Sequence, residues 1–142
     1  MKTVRIGDTA TLEKVIAETD ITAFAEVSGD YNPVHFDDGA AAALGLPSRI
    51  AHGMLAAALI SRVLGNQLPG SGTIYLSQSL NFRAPVFIGD ELSVEVELAS
   101  ARPDKPVMTF RTTCRNQSHQ IVVDGEAVVL NRAVRILPAE PA

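Results

Sequence analysis

The densest group of residues able to do chemistry is Ser28-Gly29-Asp30-Tyr31-Asn32-Pro33-Val34-His35. Asp30 and His35 stand five apart with Pro33 between them. Proline disfavours helix at the residue before it, so Asn32 and its neighbours read as loop. In a tight loop, two side chains at this separation can converge on one point. A carboxylate and an imidazole meeting there could hold a water and take its proton. The same residues also have a purely structural use. Asp30 can cap the next turn, Asn32 can close an Asx-turn, and His35 can be a satisfied core histidine. Spacing alone leaves both uses open.

A second group is Ala51-His52-Gly53-Met54, at the head of the apolar run Gly53 to Leu64. A helix starting there would present unpaired N–H groups and partial positive charge. Glycine lets a ligand oxygen approach the backbone closely, so the Gly53 N–H could hold a developing oxyanion. The alternative is that Gly53 serves helix-sheet packing and His52 is a cap. Ser61, two turns further on, is either a polar group near that site or a hydroxyl bonded back to the Ala57 carbonyl. It lacks a Gly-x-Ser-x-Gly setting, which excludes a serine-hydrolase elbow. Cys114 shares an apolar strand face with Met108 and Phe110, so it reads as core. His35, His52 and His119 have no metal-ligand spacing, and no metal is expected. Pro69-Gly70-Ser71-Gly72 lacks a third glycine and a Walker lysine and reads as a turn.

These groups need elements to position them. From Ile21 to about Leu64 the pattern is helical. Ile21, Phe24 and Val27 predict a short helix with Asp20 or Thr22 as its cap and Gly29 ending it. Asp37 to Leu44 predicts a second, with Gly45 beyond its end. Gly53 to Leu64 is apolar nearly all round and predicts a helix buried on most sides. From Thr73 onward the period is two, predicting strands with one buried face: Ile74, Leu76, Leu80 and Phe82, then Leu92 to Leu98, Met108 to Cys114, and Gln120 to Leu130. A further strand is expected between Thr11 and Ile16. The short connectors imply antiparallel pairing. The expectation is an α+β chain, a long helix on a curved antiparallel sheet of about five strands.

With 142 residues, 46% apolar and 20% charged, the chain is ordinary globular material for a single domain, spanning 1–142. A short flexible tail is expected from about 137. Twelve basic against sixteen acidic side chains, with no basic run, argue against nucleic acid. A single cysteine excludes an internal disulfide. No charge-free apolar stretch reaches ~18 residues, and the N-terminus has no apolar core of a signal peptide, so a soluble cytoplasmic protein is expected.

Taken together, Ser28 to His35 and Ala51-His52-Gly53-Met54 resemble the signature of the (R)-specific enoyl-CoA hydratases, the MaoC-like dehydratases of the hotdog superfamily. The resemblance runs on through Leu64 to Gly70, Tyr75 to Phe82 and Pro85 to Glu91, and covers roughly residues 10 to 132. It is strongest to the short hydratases that feed polyhydroxyalkanoate synthesis. It implies a hotdog fold and syn addition of water to trans-2-enoyl-CoA, giving the (R)-3-hydroxyacyl product without a cofactor. By position, Asp30 and His35 match the catalytic pair, and Gly53 the glycine whose N–H binds the thioester oxygen. Asn32 matches the asparagine supporting the loop, and Ser61 a serine near the active site. It also implies an acyl-CoA substrate and a homodimer paired edge to edge. Arg49, Arg83, Lys105 and Arg111 are candidates for the CoA phosphates. The rivals are an acyl-carrier-protein dehydratase, a thioesterase, or a non-catalytic acyl-CoA-binding module. A thioesterase of this fold commonly has a carboxylate on or beside the long helix, and Gly53 to Leu64 has none.

Overall fold

The period-two segments pair into one antiparallel sheet, and the apolar helix lies on it. A computed structural model describes all 142 residues. The order is β1 (Lys2–Arg5), β2 (Thr9–Val15), α1 (Glu18–Ser28), a 3-10 turn (Pro33–His35), α2 (Asp38–Ala43), α3 (Gly53–Asn66), β3 (Ile74–Gln78), β4 (Asn81–Phe82), β5 (Glu91–Ala101), β6 (Val107–Arg115), β7 (Ile121–Leu130) and β8 (Val134–Leu137). The sheet runs β2-β5-β6-β7-β3, with short β4 also on β7. Every pairing in it is antiparallel, as the short connectors imply. The helix-on-sheet α+β architecture expected above is the one found. No helix is long and apolar enough to cross a membrane.

β1 and β8 were not foreseen. They form a separate parallel pair, too short to show a period, stitched to the sheet where Gly7 N–H donates to Leu98 O at 2.8 Å. Leu137, where the tail was expected to begin, is paired with Arg5.

The core lies between α3 and β5 to β7. Leu55, Leu59, Ile60 and Val63 pack with Val94, Val96, Met108 and Phe110, all at most 9% exposed. Each such side chain contributes roughly 1.5–3 kcal/mol by leaving water. Cys114 is in this core as expected, and burial pushes its thiol up to about 12.

Three expectations need correction. α1 starts at Glu18, one turn before Ile21, because Asp20 sits at its third position and accepts the Ala17 N–H at 2.8 Å. Its buried stripe is Ile21 and Ala25; Val27 is 90% exposed. α3 is covered on one side only, so Met54, Ala58 and Ser61 are exposed. The Ile74 to Phe82 run is not one strand with a buried apolar face. Its register shifts between Tyr75 and Ser77, the chain breaks at Ser79-Leu80, and Ile74, Leu76 and Phe82 are more than half exposed.

The break has a cause in β7. A Cβ on Gly125 would lie 1.9 Å from the Ser79 carbonyl oxygen, and Ser79 N–H donates to Glu126 O at 2.8 Å. Only glycine lets the two backbones meet there. Gly125→Ala is therefore expected to cost about 3 kcal/mol or more in urea unfolding. Gly65→Ala, in α3 with nothing near its Cβ position, should instead gain up to about 1 kcal/mol. Equal effects of the two would refute the close-approach reading.

Candidate active site

The loop after α1 is built from its own side chains. α1 ends as Gly29 turns left-handed at φ 76° and donates to Ala25 O. Ser28 Oγ then accepts the Asp30 N–H at 3.1 Å. Asp30 Oδ1 accepts the Asn32 N–H at 3.1 Å, and Asn32 Oδ1 accepts the Val34 N–H at 3.2 Å. Pro33 opens the 3-10 turn, with Asn32 kept out of helix, and His35 N–H closes it on Asn32 O. The structural uses foreseen for Asp30 and Asn32 are thus real, and they leave the second Asp30 oxygen uncommitted.

That oxygen, Oδ2, lies 3.9 Å from His35 Nε2. His35 is buried, and its Nδ1 is 2.7 Å from the Ile50 carbonyl. A carbonyl only accepts, so Nδ1 carries the hydrogen and a neutral ring keeps its lone pair at Nε2. Two acceptors at this distance can each take one hydrogen of a single water at normal bond lengths.

Arg49 braces the same turn. Its Nε donates to His35 O at 2.7 Å, its Nη1 pairs with Glu18 at 2.9 Å, and the guanidinium stands 5.7 Å above the Phe36 ring. Its main-chain N–H is held by Asp38. This removes Arg49 from the candidates for binding phosphate. Arg83 pairs with Asp124 and Arg111 with Glu97, both at the surface. Lys105 is exposed in the β5–β6 turn.

His52 and Gly53 meet this loop from the other side. His52 precedes α3 but makes no side-chain cap. Its ring instead stacks on His35 at 3.8 Å between centroids, and its Nε2 lies 2.9 Å from Asp30 O. Sequence spacing separates His52 from the pair by 17 and 22 residues and gave no sign of this contact. The donor atoms of Asp30, His35 and His52 lie within 4.8 Å of one another. Stacked rings direct their in-plane lone pairs side by side, however, which is a poor arrangement for one ion.

Gly53, first residue of α3, has an N–H without an intrahelical acceptor, at the positive end of the helix. Phe82 stands over it: a Cβ on Gly53 would be 2.7 Å from the Phe82 ring. Nothing in the β-pattern of residues 74–82 pointed to that role. Along the bare face of α3 runs an apolar cleft of about 480 Å³, lined by Phe24, Met54, Ala58, Leu80 and the expected Ser61. Tyr75 is on its rim, donates to Gln78 Oε1, and is pushed up to about 12 by burial.

A carboxylate and an imidazole facing each other, a helix N-terminus beside them and an apolar cleft leading away suit a ligand with a polar head and an apolar tail. Comparison with known families agrees, since residues 1–118 match the model of the MaoC like domain. The chain belongs to the MaoC-like dehydratase family. A curated member, the (R)-specific enoyl-CoA hydratase of Aeromonas caviae, is 46% identical over 128 residues, covering 90% of this chain and 96% of that protein. A solved structure, the (R)-hydratase from A. caviae involved in PHA biosynthesis, superposes with a TM-score of 0.88 at 45% identity, over 92% of this chain and 99% of that one. The unliganded R-hydratase PhaJ1 from Pseudomonas aeruginosa gives 0.85 at 45% identity, over 96% and 84%.

Because Arg49 donates from Nε and Nη1 in different directions, a lysine cannot replace it. Arg49→Lys should lower stability by about 1–3 kcal/mol in urea unfolding. A variant as stable as wild type would show that the Glu18 and His35 contacts contribute nothing.

Proposed function

We propose that this chain is an (R)-specific enoyl-CoA hydratase, adding water across the C2=C3 bond of a trans-2-enoyl-CoA. The observation carrying this is the pair of uncommitted acceptors, Asp30 Oδ2 and His35 Nε2, 3.9 Å apart beside the start of α3. Conjugation to the thioester makes C3 electrophilic and builds negative charge on the carbonyl oxygen. The Gly53 N–H, on a helix N-terminus, is suited to that charge. Asp30 and His35 hold one water. As its oxygen bonds to C3, its proton passes to the pair, and a proton returns from the same side to C2. Delivery from one face gives syn addition. Asn32 keeps the loop in shape, and the acyl chain follows the cleft past Ser61. The proposal includes a cytoplasmic location, where an acyl-CoA thioester reaches the cleft without crossing a membrane.

The proposal includes a homodimer. β3 is an outer strand of the sheet, and its Ile74 and Leu76, with Phe82 of β4, are exposed apolar side chains next to the open side of α3. A second copy pairing there would cover both and complete the cleft.

With crotonyl-CoA, enoyl absorbance should fall without release of free thiol; thiol release would indicate a thioesterase, and no change a binding module. The same assay with acyl-carrier-protein thioesters separates the dehydratase reading. Asp30→Asn and His35→Ala should each lower hydration by ~10²–10⁴-fold, and the double variant little further, because both act on one water. Either single variant at wild-type rate would remove its residue from the mechanism.

Light scattering at micromolar concentration should give twice the chain mass. Leu76→Asp should shift it to one chain mass and reduce turnover. An active monomeric wild type would contradict the dimer.

A further inference from the structure

His52 is buried, touches both Asp30 and His35, and has no part in the reaction above. It sits in a box of rings: His35 stacked at 3.8 Å, Phe24 tilted at 4.8 Å and Phe36 edge-on at 6.3 Å. Its Nε2 is 2.9 Å from the Asp30 carbonyl and therefore donates to it. Its Nδ1 is fully buried and has no partner. A buried polar atom left without a partner costs free energy. For packing alone, a hydrocarbon ring would suit this box better. What such a ring would lack is the N–H on Asp30.

Asp30 needs that bond. Its side chain is 49% exposed. Its other hydrogen bonds go to Ser28 and Asn32, two residues away on either side. Those bonds shape the loop but do not anchor it to anything beyond itself. The bond from His52 spans 22 residues and ties the loop to the start of α3. The peptide joining His52 to the next residue also carries the Gly53 N–H. One residue thus grips the carboxylate's main chain and leads directly into the helix-end donor.

We infer that His52 is a positioning residue, whose Nε2–H holds the Asp30 main chain so that Oδ2 faces His35 Nε2. The inference rests on Asp30 and His35 being the reacting pair. A shift of about 1 Å in a reacting group can cost as much as ~10²-fold in rate, so losing the tether should act on turnover more than on binding.

The test uses the full chain with crotonyl-CoA and compares wild type, His52→Phe, His52→Gln, Asp30→Asn and the double variant His52→Phe with Asp30→Asn. Circular dichroism confirms that each is folded. His52→Phe keeps a ring and loses the donor; its kcat should fall about 10–100-fold with KM within about 3-fold of wild type. His52→Gln supplies an amide N–H to Asp30 O and should keep kcat within about 5-fold of wild type. Introduced into Asp30→Asn, His52→Phe should cost less than about 3-fold, because the group it positions is gone. The inference alone is overturned by a folded His52→Phe with wild-type kcat, by His52→Gln falling as far as His52→Phe, or by equal costs in the two backgrounds. If His52→Phe does not fold, His52→Gln decides alone, and a kcat more than about 10-fold down overturns the tether. Asp30→Asn turning over at the wild-type rate overturns the reacting pair itself, and the inference with it.

Discussion

A neutral imidazole has one hydrogen to give, and in this chain His35 gives it to the Ile50 carbonyl at 2.7 Å. The rest of the site depends on that bond. It settles which ring nitrogen keeps a lone pair and turns that nitrogen toward Asp30. The Ile50 carbonyl can serve because its own segment is fixed. Ile50 bridges to Phe87, and Ala51 N–H donates to Val86 O at 2.7 Å. Phe87 is held in turn by the buried Asp90, which accepts its N–H at 2.9 Å. The orientation of one catalytic-looking ring is therefore traceable through two loops to the start of β5.

The loop itself does two things with one carboxylate. Asp30 Oδ1 makes the Asx-turn that gives the loop its shape, and Oδ2 faces His35. Structural and chemical uses of such a residue are often treated as alternatives. In the proposed reaction they require each other, because the turn is what aims the second oxygen. This is also why the motif is so compact. A separate shape-forming residue would need more chain between α1 and the 3-10 turn.

What could be read from the sequence follows from range. Asp30, Asn32, Pro33 and His35 act on one another within five residues, so their spacing announced a loop in which they meet while leaving its use open. The strands β5, β6 and β7 have one face packed on α3, and period two announced them. The alternation of Ile74 to Phe82 marked extended chain but neither its break at Ser79-Leu80 nor its exposure, because a pattern records apolarity and not what covers it. In the single chain Ile74, Leu76 and Phe82 are bare. His52 and Phe82 reach the site from elsewhere in the fold, and no local period encodes such a meeting. β1 and β8 have only four residues each, too few for a period, and their pairing joins the two ends of the chain. The family resemblance supplied the expected role of Gly53, which spacing alone left undecided.

The free N–H at the head of α3 belongs to a peptide bond, and a peptide bond has no protonation state to change. Its field arises from the aligned dipoles of the helix behind it. Acidity cannot switch it off, and no side-chain substitution can remove it short of proline. If this N–H polarises the substrate, that half of the chemistry is constant across the pH range in which the fold persists. The acid and alkaline limits of the protein's working range would then be written entirely by the side chains facing it across the loop.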